Sequence, residues 1–105
     1  MILLDIQLLT KSIDLQGSMG RTKISFDNRD KFIDLGIAIS NLRKAKGMSQ
    51  EELADKASIS RTHLSFIEAP GMVQGISLNT LFNISEALDV DPAEILHASV
   101  KKPEE

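Results

Sequence analysis

The chain has 105 residues, 42% hydrophobic and 26% charged, with a formal net charge of −3 and no cysteine. Those values suit a single folded domain rather than a disordered chain, and they exclude disulfides, thiol nucleophiles and cysteine-type zinc sites. No apolar run approaches the roughly 20 residues of a membrane span, and the N-terminal MILLDIQLL lacks a basic leader and is interrupted by Asp5 and Gln7, so a cytoplasmic protein without a membrane partner is expected.

Residues 1–27 carry apolar side chains at many spacings, and ILLDIQLLTKSIDL admits either a strand or a short helix. The run Gly17-Ser18-Met19-Gly20 then breaks any regular element. This segment reads as an N-terminal arm or as an accessory, non-native piece, and the alternative is an arm that pairs with a partner chain. Residues 28–98 are expected to form the folded domain, and 99–105 a frayed tail.

From a cap at Asp27 or Asn28, a first helix is expected to run to about Lys46. Phe32, Leu35, Ile39 and Leu42 fall on one amphipathic stripe, widened by Ile33 and Ile37. Gly47 supplies a left-handed stop after a basic last turn of Arg43, Lys44 and Lys46. Ser49 with Glu52 three residues on is a capping box for a second helix whose inner face is Leu53, Ala54 and Ala57. Ala54 is small enough to let two crossing helices approach closely. Ser58-Ile59-Ser60 is a tight turn with Ile59 as its apolar plug, and Ser60 caps a third helix that buries Leu64 and Ile67.

At about 100° per residue, Arg61, Thr62, Ser65 and Phe66 share one arc of that third helix, opposite its buried side, with His63 at the flank. Arg can bond guanine in bidentate fashion, hydroxyls adapt as donors or acceptors, and Phe can touch a thymine methyl. A capped helix N-terminus also favours phosphate. After the loop APGMVQGI, Ser77 caps a fourth helix in which Leu78, Leu81, Phe82, Ile84 and Leu88 are expected to face mostly inward. Asp91, Pro92 and Glu94 supply cap, first-turn proline and acid for a short fifth helix, AEILHASV.

Charge is unevenly spread. Residues 28–47 carry Arg29, Lys31, Arg43, Lys44 and Lys46 against Asp30 and Asp34, a local excess of basic groups, whereas the acidic excess lies beyond residue 47. That distribution permits a DNA-facing side with modest non-specific affinity. It does not demand one. No acid–base or nucleophile set can be assembled: there is no Cys or Tyr, His63 and His97 are far apart, and no glycine-rich phosphate loop occurs. Neither catalysis, a metal nor a cofactor is expected.

The strings LRKAKGMSQEELADKASISRTHLSFIE and SLNTLFNISEALDVDPAEIL resemble the XRE-like helix-turn-helix family, the phage-repressor and Cro type, over about Leu35 to Leu96. The resemblance implies an all-α, five-helix, lambda-repressor-like DNA-binding domain. It implies base contacts from Arg61, Thr62, Ser65 and Phe66, and phosphate contacts from Gln50 and Ser60. Lys44 and Lys46 are expected beside the backbone track. It further implies a structural ion pair between Arg43 and Glu68, and a homodimer, often formed through the last helices, on two half-sites about one helical turn apart.

The chain departs from the family pattern in three places. Ser58 stands where the turn usually carries Gly, so either Ser58 has a positive φ or the turn differs. The loop after Glu68 is longer than the common form and has no Lys or Arg, and Phe66 replaces what is more often a polar or basic reader. Phe66 has two further readings, packing on a partner chain or on Met72 and Val73. The expected function is sequence-specific binding of a palindromic double-stranded DNA operator by a homodimeric transcriptional regulator. The alternative is an antitoxin or other module of the same fold that binds a protein partner.

Overall fold

The computed structural model describes residues 24–100. Of the expected N-terminal arm only residues 24–27 are described, and of the expected tail only 99 and 100; the rest of both lies outside the described residues. Five α-helices follow in order: α1 (Arg29–Ala45), α2 (Gln50–Lys56), α3 (Arg61–Glu68), α4 (Leu78–Leu88) and α5 (Pro92–Leu96). Short 3-10 turns precede the first (Phe26–Asn28) and follow the last (His97–Ser99). There is no strand among the described residues.

Helix starts follow the serines and the aspartate. Ser49 Oγ accepts the Glu52 N–H while Glu52 Oε1 accepts the Ser49 N–H, both at 3.0 Å, closing the capping box. Ser60 Oγ accepts from His63 N–H at 2.9 Å, Ser77 Oγ from Thr80 N–H at 3.1 Å, and Asp91 Oδ1 from Ala93 N–H at 3.0 Å. Each satisfies a donor that the first helical turn leaves without a partner. The start of α1 is different. Asn28 occupies the cap position but makes no side-chain cap bond. The 3-10 turn delivers Asn28 with φ −98° and ψ −2°, close to helical, so the extended backbone that aims a capping side chain is missing.

Three helix ends use one device. A residue with positive φ follows the helix, and the next N–H reaches back to a carbonyl five residues earlier, as in a Schellman turn. Gly47 (φ 71°) lets Met48 N–H reach Arg43 O at 3.0 Å, Ser58 (φ 59°) lets Ile59 N–H reach Ala54 O at 3.0 Å, and Asp89 (φ 58°) lets Val90 N–H reach Ser85 O at 3.0 Å. The turn between α2 and α3 thus keeps the left-handed geometry, with serine in place of glycine. Bearing a Cβ there costs roughly 1–2 kcal/mol.

The core is a single cluster of Leu35, Ile39, Leu53, Ala54, Ala57, Leu64, Ile67, Leu81, Ile84, Leu88 and Ile95. Helix α1 packs on α3, on α5 and on the closing 3-10 turn, while α2 packs on α3 and α4. Gly36, buried in mid-α1, sets how closely α1 meets α3, because a Cβ there would collide with the Ile67 carbonyl oxygen.

Helix α4 differs from its expected packing. Leu81, Ile84 and Leu88 are buried, but Leu78 is 64% and Phe82 51% exposed. Ser85 takes an inward position instead, its hydroxyl satisfied by donating to Phe82 O at 2.9 Å. At about 100° per residue, Leu81, Ile84, Ser85 and Leu88 already fill the arc that faces the core. Leu78, at the first residue, and Phe82 lie on the flank of that arc.

Candidate nucleic-acid interface

Helix α3 is held from beneath by charge as well as by apolar packing. Leu64, Ile67 and Glu68 all face inward. Glu68 is 7% and Arg43 of α1 8% exposed. Arg43 Nε donates to Glu68 Oε2 at 2.8 Å and Nη2 donates to Glu68 Oε1 at 3.0 Å. The pair expected from the resemblance is therefore bidentate, a geometry that fixes orientation as well as distance. Arg43 Nη1 also donates to Met48 O at 2.7 Å. One guanidinium thus ties the end of α1, the entry to α2 and the end of α3 together.

Gln50 joins the same network, its Nε2 donating to Glu68 Oε1 at 2.9 Å. The carboxylate holds the amide in a set orientation and leaves its second N–H for an outside acceptor such as a phosphate oxygen. Gln50 is half-buried at the first residue of α2, so it bridges the support of α3 to the surface.

On the outer side, Arg61 and Thr62 are exposed in the first turn of α3, next to the exposed Ser60 cap. Ser65 is half-buried and Phe66 40% exposed, so the Phe66 ring is not sealed beneath the following loop. His63 is half-buried at the flank. Lys44 and Lys46 are exposed at the end of α1, six and four residues before Gln50. The residues considered for base reading therefore share one short, rigidly backed helix, and those considered for phosphate lie at its cap, at the start of α2 and at the end of α1. Among the described residues, no group of three or more His, Cys, Asp or Glu could hold a metal ion.

Two contributors escaped the sequence reading. The Met48 carbonyl, as acceptor from Arg43, carries no signal because any residue offers a backbone oxygen. Gly36 did carry one: an isolated glycine inside an amphipathic helix costs about 1 kcal/mol against alanine and points to a packing reason.

The chain belongs to the helix-turn-helix family, whose model matches residues 39–95, more than half of the chain. It is of the XRE type, a class of DNA-binding transcription regulators. Among solved structures it is similar to the restriction-modification controller protein C.AhdI from Aeromonas hydrophila, at 31% identity and a TM-score of 0.57, over 61% of this chain and 94% of that one. It is also similar to the clp gene regulator ClgR from C. glutamicum, at 28% identity and a TM-score of 0.60, over 66% of this chain and 87% of that one. A third similar structure is C.Esp1396I bound to a 19 base pair DNA duplex, at 30% identity and a TM-score of 0.59, over 74% of this chain and 100% of that one. Comparison with curated proteins found no match.

Proposed function

We propose that the protein regulates transcription in the cytoplasm by binding a palindromic double-stranded DNA operator as a homodimer, with α3 in the major groove. The observation that carries this reading is the two-sided build of α3. Its inner side is locked by the Arg43–Glu68–Gln50 network, and its outer side presents Arg61, Thr62 and Phe66 to solvent beside a capped N-terminus. A groove-reading helix needs that rigidity, because its base contacts hold only within a narrow geometric tolerance. Arg61, Thr62, Ser65 and Phe66 read base edges, while Gln50, Ser60, Lys44 and Lys46 fix the register on phosphates. The similarity to C.Esp1396I, whose structure holds a DNA duplex, supports the same reading.

Exposed Leu78 and Phe82 on α4 support the dimer, since two large apolar side chains four residues apart on one helix form a patch suited to association. They equally favour the second reading, a module that binds a different protein. The net charge of −3 leans the same way.

A salt titration separates the two. Affinity is measured for random duplexes and for duplexes enriched from a random library. The expected result is log affinity falling linearly with log salt, together with tighter binding of the enriched sequence. Absence of duplex binding at low salt contradicts the DNA reading and leaves the protein-binding module.

A further inference from the structure

The outer arc of α3 divides into two pairs, each four residues apart. Taking Arg61 as zero, Ser65 lies at about 40°, Thr62 at about 100° and Phe66 at about 140°. Arg61 and Ser65 form a polar strip, whereas the Thr62 methyl and the Phe66 ring form an apolar one. The fold has no need of that ring, because Leu64 and Ile67 already fill the space beneath α3 and Phe66 keeps 40% of its surface.

A phenyl ring has no donor or acceptor, so it adds nothing to a phosphate contact. Pressed against a polar base edge, it strips water from that edge and returns no hydrogen bond. The apolar group that base edges offer in the major groove is the C5-methyl of thymine. 5-Methylcytosine carries the same methyl at the same ring position. From Arg61 to Phe66 the helix advances about 7.5 Å, about two base-pair steps at 3.4 Å each. A guanine beneath Arg61 and a methyl beneath Phe66 therefore fit within one half-site.

We infer that Phe66, backed by the methyl of Thr62, reads the C5-methyl group of one pyrimidine, a thymine, in each half-site, so that operator affinity depends on that methyl. This rests on the reading of α3 as a major-groove helix, and it goes further by assigning a chemical group to the residue that departs most from the family's usual polar readers.

The test uses the full chain and an operator enriched from a random library. Each thymine of the half-site is replaced in turn by deoxyuridine, in both half-sites together, which removes only the methyl. At one position the replacement lowers wild-type affinity about 15-fold, or about four-fold per half-site, the equivalent of about 0.8 kcal/mol per methyl. Phe66→Ala binds the thymine and uracil duplexes equally, and Phe66→Leu, which keeps an apolar side chain, retains part of the difference. A circular dichroism spectrum establishes that both variants are folded.

A second arm places a C·G pair at that position, with and without a C5-methyl. Preference for the methylated form in the wild type, but not in Phe66→Ala, supports the methyl as the ligand whichever base carries it. Equal affinity of the two C·G duplexes in the wild type counts against the methyl as the ligand, because the ring has no group that tells the two bases apart. A bound operator with no uracil-sensitive position, or the same thymine-to-uracil ratio in Phe66→Ala as in the wild type, overturns the inference alone. Failure of the wild type to bind any duplex overturns it together with the DNA reading.

Discussion

Helices α3 and α4 begin in the same way. A serine caps each by accepting the N–H three residues on, Ser60 from His63 and Ser77 from Thr80. Each buries leucine and isoleucine in the shared core. They differ in what lies beneath and in what is left outside. Under α3, directional bonds converge on Glu68 from Arg43 and Gln50, and the outer face begins with Arg61 and Thr62. Under α4 the inward positions are apolar apart from Ser85, whose hydroxyl bonds within its own helix, and the outer flank carries Leu78 and Phe82. Directional bonds fix a helix's rotation and tilt, which a helix that reads base edges requires. Apolar packing fixes position less strictly, and that suffices for a surface whose attraction to a partner is proportional to area. The two helices thus suit two kinds of partner.

Glu68 carries the largest part of the difference between α3 and α4. Glu68→Ala leaves the buried Arg43 charge unpaired and removes the anchor of Gln50, so unfolding in urea should register a loss of about 3–5 kcal/mol. A loss below about 1 kcal/mol would mean that apolar packing alone positions α3, as it does α4.

Next comes the outer flank of α4. Replacing Leu78 and Phe82 together by serine should cost the fold of the single chain about 1–2 kcal/mol, because Leu78 keeps 64% and Phe82 51% of its surface exposed. The same change should turn a dimer into a monomer by mass measurement and lower operator affinity about 100-fold through lost bivalence. An unchanged mass would remove α4 from the proposed dimer surface.

Arg61→Ala acts on α3 alone. It should cost about 1–3 kcal/mol of operator binding and relax one base position, whereas Lys44→Ala should weaken all duplexes alike. An equal loss on every duplex for Arg61→Ala would make it a phosphate contact. The smallest effect is expected at the turn that joins α2 to α3. Ser58→Gly relieves the positive φ and should stabilise the fold by about 1 kcal/mol, read as a shift in the urea midpoint.

What was legible in the sequence follows from how local each cause is. The caps at Ser49, Ser60, Ser77 and Asp91 and the stop at Gly47 depend on residues within one turn of chain, and each is present. At Ser58 the sequence admits either a positive φ or a different turn, because backbone conformation in a turn depends on how both flanking helices dock. Periodicity alone puts Leu78 and Phe82 in the same mostly inward set as Leu81, Ile84 and Leu88. An apolar side chain on the flank of a stripe carries the same signal whether it meets the core or another surface. The cap at Asp27 or Asn28 failed for a related reason, since the 3-10 turn at Phe26–Asn28 left no trace in the pattern. Gly36 stands out in the sequence as a glycine inside a helix, but the group it makes room for, the Ile67 carbonyl, lies 31 residues away in the chain.

In the function proposed for this chain, α3 reads DNA sequence on behalf of a dimer. Selection of bound duplexes from a random library tests it most directly. The predicted result is one enriched motif of two inverted half-sites with centres about 10–10.5 base pairs apart. Recovery of unenriched sequences, from a preparation shown to be folded, would contradict it.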